Sequence, residues 1–182
     1  HRETRLMIKN VAFIGLGNMG TPLSRHLLNA GFNVSGYDVV KEKMSALEAD
    51  GLRAAASPDD AARDADAILT MLMRPEIIRD VLYGEQGVVH GAKPGAVVVD
   101  MSTMSPAFQR ERFAELEKRG FRPFEAPVSG SVPHAEVREL TIMAGGDEAV
   151  FDELKPVFEA FGKNICYMGE AGKGTLMKLL TN

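Results

Sequence analysis

Two periods of apolar spacing alternate along this chain. Short continuous apolar runs, as in strands buried on both faces, give way to longer stretches with apolar residues every three or four positions, as in amphipathic helices. The runs predict strands at Asn10–Ile14, Asn33–Tyr37, Ala67–Met71 and Val97–Asp100, then at Arg122–Glu125, Leu140–Ala144 and Asn164–Met168. The helical spacing predicts helices near Met19–Asn29, Lys41–Asp50, Pro75–Leu82, Pro106–Arg119 and Glu148–Phe161. Asn29-Ala30-Gly31 reads as a helix stop, and Ser57-Pro58-Asp59-Asp60 as a helix start with Ser57 as N-cap. Strands and helices alternating across short links predict an α/β fold of Rossmann type. Its sheet is doubly wound and mostly parallel, with helices on both faces.

The two ends depart from this pattern. His1 to Leu6 is polar without periodicity and reads as a loose arm outside the fold. After Met168, Gly169-Glu170-Ala171-Gly172-Lys173-Gly174 is a glycine-rich turn, and Thr175 to Asn182 starts a helix. The domain is therefore expected over residues 7–168, with 169–182 as turn and helix start. Leu176, Met177, Leu179 and Leu180 on that helix need a surface to pack on. The chain stops about two turns into the helix, as expected of the front part of something longer.

Composition narrows the class without naming a function. The 182 residues suffice for one domain with a real core, and 45% hydrophobic and 25% charged residues are ordinary for a globular chain. A net charge of −4 without a basic cluster argues against a nucleic-acid surface. No apolar stretch approaches the ~20 residues that span a bilayer, and no signal peptide is visible. Cys166 is the single cysteine, which excludes a disulfide framework and a thiolate metal site. It reads as a buried inert thiol, and a reducing cytoplasm fits. The run Arg110-Glu111-Arg112 with Glu115, Glu117 and Lys118 reads as the solvated face of a helix. The ten methionines read as core filler. His26, His90 and His134 lack metal spacing, so no metal site is expected.

The candidate chemistry starts at the first strand. Val11-Ala12-Phe13-Ile14 runs into Gly15-Leu16-Gly17-Asn18-Met19-Gly20, a Gly-x-Gly-x-x-Gly that opens a helix, and Asp38 follows after a second strand-like run. This is the dinucleotide-binding fingerprint. Gly15 turns the chain out of the strand, Gly17 lets a pyrophosphate approach the backbone, and Gly20 permits close helix–strand packing. The helix N-terminus then offers free N–H groups and a positive dipole to the phosphates. Asp38 would accept hydrogen bonds from ribose hydroxyls and repel a 2′-phosphate, and no Arg follows in Val39-Val40-Lys41, so NAD is favoured over NADP. Asp38 alternatively caps the helix that starts near Val40. Met71-Leu72-Met73 and Ser102-Thr103 end two strands at the carboxyl edge, where ligands bind in open α/β sheets.

Four motifs in register resemble the β-hydroxyacid dehydrogenase family, which includes 3-hydroxyisobutyrate dehydrogenase and tartronate semialdehyde reductase. They are the glycine fingerprint; Asp100-Met101-Ser102-Thr103-Met104-Ser105-Pro106; Ala126-Pro127-Val128-Ser129-Gly130-Ser131 running on to Leu140-Thr141-Ile142-Met143-Ala144-Gly145-Gly146; and Gly169-x-x-Gly172-x-Gly174-x-x-x-Lys178-x-x-x-Asn182. The resemblance covers Ile8 to Asn182. It implies an NAD-binding domain joined by an interdomain helix to an all-helical domain, absent here, that helps form a homo-oligomer and closes the substrate pocket. Two departures put the substrate in doubt. Ser131 stands where a glycine is usual, as in the glyoxylate and succinic semialdehyde reductase branch, and Arg138-Glu139 replaces a common Gly-Thr.

The resemblance implies roles residue by residue. Gly15, Leu16, Gly17, Asn18, Met19, Gly20, Asp38, Val39, Met71, Leu72, Met73 and Thr103 would contact NAD, with Ser102 alternatively a helix cap. Lys178 would be the catalytic acid–base residue, and Asn182, four positions on, shares its helix face. The alternative for Lys178 is a surface lysine. Ser129, Gly130 and Ser131 suit a clamp on the carboxylate of a small hydroxyacid or semialdehyde, or else form a plain turn, and His134 lies near that loop. The expected function is an NAD-dependent 3-hydroxyacid dehydrogenase. Its rivals are an NADPH-dependent glyoxylate or succinic semialdehyde reductase and a non-catalytic dinucleotide-binding module.

Overall fold

The computed structural model describes residues 7–182, so the arm at His1–Leu6 lies outside the described residues. Four parallel strands carry the first half: β1 (Asn10–Ile14), β2 (Asn33–Tyr37), β4 (Ala67–Thr70) and β5 (Val97–Asp100), with the two-residue β3 (Arg53–Ala54) beside β2. The sheet continues through β6 (Arg122–Glu125), β8 (Leu140–Gly146) and β7 (Val128–Ser129), and β9 (Gly162–Gly169) pairs with β8. The helices are α1 (Gly20–Asn29), α2 (Lys41–Glu48), α3 (Pro58–Ala62), α4 (Pro75–Tyr83), α5 (Val88–Gly91), α6 (Pro106–Lys118), α7 (Val132–Glu136), α8 (Glu148–Glu159) and α9 (Lys173–Thr181).

Residues of one strand alternate between two cores because successive side chains point to opposite faces. Val11 and Phe13 of β1 join Leu23 and Leu27 of α1 and, farther along the sheet, Phe124, Leu154 and Phe158. Ala12 and Ile14 face the other way, onto Ala61, Ile78, Phe108 and Leu116. β1, β4 and β5 are buried on both faces, which is why they read as unbroken apolar runs. The expected helix stop at Gly31 is a Schellman turn: Phe32 N–H donates to Leu27 O (3.1 Å), and Gly31 has φ +96°. Ser57 caps α3, its hydroxyl accepting from Asp60 N–H (3.4 Å).

Where the pattern was weakest, the structure adds β3, α5, β7 and α7. β6 and β7 are two pieces of one antiparallel partner to β8: Glu125 pairs with Gly145 and Ser129 with Thr141 in unbroken register, and Ala126-Pro127 interrupts the strand between them. Two expectations are corrected. Arg112 does not belong to a solvated face; it is buried beneath the sheet. Cys166 is half-buried, because it lies on β9, which pairs with β8 alone among the described strands. Among the described residues, no helix is long and apolar enough to cross a membrane.

Candidate functional site

A cleft of about 640 Å³ opens at the carboxyl ends of β1, β2 and β4. Gly15, Gly17, Asn18, Met19, Gly20, Tyr37, Asp38, Val39, Met71, Leu72 and Met73 line it, joined by Lys43, Ile77 and Val81. The glycine loop makes its floor. Gly15 has φ +101°, and a Cβ there would lie 2.2 Å from Met71 O; a Cβ on Gly20 would lie 1.9 Å from Gly15 O. The loop is therefore folded back on itself against the end of β4, at a separation only glycines permit. A Cβ on Gly17 would meet nothing within 4 Å, so that position faces open space.

The N-terminus of α1 points at this floor. Met19, the N-cap, provides no side-chain cap, and the first turn holds no acid. Thr21 N–H donates to Gly17 O (3.0 Å) and Pro22 has none, so the N–H groups of Asn18, Met19 and Gly20 with the helix dipole make the anion cradle, of the kind a pyrophosphate fills. Nearby, the exposed apolar side chains Val39 and Met73, at 83% and 89% accessibility, flank the cleft and offer faces to an aromatic base. The residues present fit a dinucleotide.

Asp38 does something other than cap a helix. Its Oδ2 accepts from Leu16 N–H (2.8 Å) and its Oδ1 from Val40 N–H (2.9 Å), while α2 starts at Lys41 with Val40 as an N-cap lacking any side-chain bond. The carboxylate thus ties the end of β2 to the glycine loop. Each oxygen keeps acceptor capacity beyond that one bond, and Asp38 lines the cleft. Leu16 itself is a core residue, so only its backbone takes part. Ser102 is corrected likewise: Ser105 caps α6, accepting from Phe108 N–H (3.1 Å), whereas Ser102 Oγ accepts from Leu72 N–H (2.9 Å) and fixes the cleft wall. Thr103 is exposed beyond β5 and does not line the cleft.

The remaining predicted residues gather around β8. Ser129 ends β7, paired with Thr141, and Gly130 turns out with φ +138°. Ser131 starts α7; its N–H donates to His134 Nδ1 (3.1 Å), and its hydroxyl lies 2.7 Å from the same nitrogen. His134 therefore engages the donors of Ser131 rather than standing free. On the opposite flank, α9 packs against β8, β9 and α6. Lys178 is half-buried and Asn182 exposed on it, while Leu176, Met177, Leu179 and Leu180 are 42%, 38%, 44% and 71% accessible.

Sequence reasoning missed a buried polar chain beneath this edge. Thr70 Oγ1 donates to Asp100 Oδ1 (2.9 Å), Gln109 Nε2 to Asp100 Oδ2 (2.7 Å), and Arg112 Nε to Gln109 Oε1 (2.8 Å). Arg112 also donates to Val98 O and Phe124 O. Glu125, fully buried, accepts from Gly174 N–H (3.2 Å) and from the Thr175 hydroxyl at the start of α9. Burial pushes its carboxyl above the ordinary range, against the pull of Thr175, the Gly172 and Gly174 N–H groups and the Arg112 charge. The signal that could have found Glu125 is its place as the lone charge in the apolar run Phe124-Glu125-Ala126-Pro127-Val128.

Known proteins resemble this chain in sequence and fold. The family model for the NAD-binding domain of 6-phosphogluconate dehydrogenase matches residues 10–169. The NAD-dependent L-serine dehydrogenase of Pseudomonas aeruginosa is 36% identical over 175 residues, covering 96% of this chain and 59% of the relative. A probable mitochondrial 3-hydroxyisobutyrate dehydrogenase of Dictyostelium discoideum is 38% identical over 174 residues, with 96% and 54% covered. Among solved structures, the Mycobacterium tuberculosis 3-hydroxyisobutyrate dehydrogenase with L-serine superposes with a TM-score of 0.90 at 36% identity, covering 96% of this chain and 59% of that one. The chain thus spans somewhat over half the length of the relatives it matches. With this loop, this cleft and these matches, the chain belongs to the family of NAD-binding domains represented by that of 6-phosphogluconate dehydrogenase.

Proposed function

We propose that this chain is the cofactor-binding part of an oxidoreductase that transfers a hydride between NAD and a small 3-hydroxyacid or its semialdehyde. One observation carries the reading. α9, with Lys178 and Asn182 four residues apart, starts beside Glu125, the strand partner of Asp100 at the carboxyl end of the sheet where the cleft opens, although none of its residues lines that cleft. The relatives named above act, by their names, on serine and 3-hydroxyisobutyrate, both small hydroxyacids. Residues 7–168 would form the cofactor domain. Residues 169–182 would form the turn and start of a helix leading to a further helical domain, with association into a homo-oligomer. Cys166 is a free thiol, which suits a reducing compartment such as the cytoplasm.

When bound, NAD supplies the hydride acceptor; the residues of the chain do the rest. The α1 N-terminus holds the pyrophosphate, and Asp38 accepts from the ribose hydroxyls and disfavours a 2′-phosphate. Ser129, Gly130 and Ser131, with Asn182, hold the substrate carboxylate and hydroxyl. Lys178 accepts the hydroxyl proton in oxidation and returns it in reduction. Clamping the acid through Ser131 requires a shift of His134, which already holds the Ser131 N–H. Ser131 also keeps a second reading in view, a glyoxylate or succinic semialdehyde reductase using NADPH. Asp38 stands against it.

The test is a panel of hydroxyacids and semialdehydes assayed with both cofactors on full-length protein. Lys178→Ala should lower turnover about a hundredfold or more while cofactor affinity stays unchanged. Near-normal turnover in the variant would remove Lys178 from its role, and no activity on any panel member would overturn the reaction class.

A further inference from the structure

α9 carries the proposed acid–base residue, yet nothing in its own sequence dictates how it is rotated about its axis. The answer lies 50 residues away in sequence, at Glu125. Two contacts define the seat. Glu125 Oε1 accepts from Gly174 N–H at 3.2 Å, and Oε2 accepts from the Thr175 hydroxyl. Gly145, the β8 partner of Glu125, presses from the side: a Cβ there would lie 2.5 Å from Glu125 Oε1 and 3.0 Å from Gly174 N. A Cβ on Gly174 would lie 2.3 Å from Met143 O, so the helix start sits directly on the β8 backbone. Gly172, the N-cap, has φ +87° and bends the chain into this seat. The helix has no side-chain cap of its own and no acid in its first turn, so Glu125 supplies the acceptor its N-terminus lacks.

The geometry points to Glu125 as a positioning residue that fixes the rotation and depth of α9, and through it the place of Lys178 and Asn182. Gly174, Lys178 and Asn182 are spaced by four, so they lie along one face, and Thr175 borders it. Whichever face meets Glu125 at Gly174 is the face Lys178 presents one turn later, about 6 Å along the axis. A slip of one residue would rotate the helix by about 100° and turn Lys178 off the face that Gly174 presents to Glu125. Arg112 backs the arrangement by holding Phe124 O, the carbonyl just before Glu125. That Lys178 is the acid–base group rests on the function proposed above; the seating of α9 does not.

Two readouts separate these claims. The first is amide hydrogen exchange on the chain itself. Glu125→Ala should speed exchange across Lys173–Thr181 at least about tenfold, because it removes bonds to a buried charged acceptor, with β1, β2 and β4 unchanged. Thr175→Val, which removes one bond and no charge, should speed the same amides by a smaller factor and covers the case in which Glu125→Ala fails to fold. The second is steady-state kinetics on full-length protein. Glu125→Ala should lower kcat at least about tenfold without changing the KM for NAD, and Glu125→Gln, which keeps an acceptor for Gly174 N–H, should recover most of it. Unchanged α9 exchange in both Glu125→Ala and Thr175→Val would overturn the proposal, as would a uniform rise across the domain or failure of Gln to rescue. If full-length wild type is inactive, the reaction class fails, while the exchange comparison still decides the role of Glu125.

Discussion

The two halves of the sheet build their candidate sites by different means. The cleft at β1, β2 and β4 is made largely from backbone: a glycine loop folded against Met71 at the end of β4, a helix start without a side-chain cap, and Asp38 accepting from Leu16 N–H 22 residues back. The edge at β6, β8 and α9 is made from buried polar side chains: Asp100, Gln109 and Arg112 linked along one strand–helix segment, and Glu125 reaching α9 from β6 across about 50 residues. The first kind of site needs little beyond the local fold. The second seats α9 on β8, β9 and α6 with two bonds from Glu125 at its start, and leaves its far face open. The proposed binding and the proposed chemistry therefore rest on different kinds of support.

The largest way to break the comparison is at Arg112. Its guanidinium is fully buried and serves Gln109, Val98 O and Phe124 O together. Arg112→Met keeps the stem and removes the charge, leaving Asp100 and Glu125 without their buried cation. Stability in urea should fall by about 3–5 kcal/mol, with α9 losing exchange protection first. A loss below about 1 kcal/mol would mean that the polar chain contributes little.

A smaller change should go the other way. Arg138 is the one described residue other than glycine with a positive φ, at +63°. It occupies the αL position closing α7 in a Schellman turn, since Glu139 N–H donates to His134 O (2.8 Å) and Arg138 N–H to Ala135 O (3.4 Å). The strain of about 1–2 kcal/mol is partly offset by its bond to Glu159 O (3.0 Å) at the end of α8. Arg138→Gly should raise stability by up to about 1 kcal/mol and leave cofactor binding alone. A loss of stability in urea would show that the Glu159 contact outweighs the strain.

How much was legible in the sequence follows the same division. The β1, β2, β4 and β5 strands and the helices between them were readable because burial on both faces writes an apolar run and one-sided burial writes a helical period. The glycine loop was readable because its constraints are local. β7 and α7 lie in Val128-Ser129-Gly130-Ser131-Val132-Pro133, where turn-forming residues dominate, and β7 exists through its pairing with β8. Arg112 reads as solvated because Glu111, Glu115 and Lys118 around it are charged; apart from Gln109 on its own helix, its acceptors lie on β5 and β6, which no local pattern reveals. Glu125 was passed over for the same reason, its partners standing about 50 residues away.

The central claim is that the glycine loop and Asp38 form a self-sufficient site for the unphosphorylated cofactor. Calorimetric titration of this 182-residue chain with NADH and with NADPH tests it directly. The expected result is saturable NADH binding at least about tenfold tighter than NADPH, near 1.4 kcal/mol, because the Asp38 carboxylate meets a hydroxyl in one and a phosphate in the other. Equal affinities, or no binding of either, would contradict it.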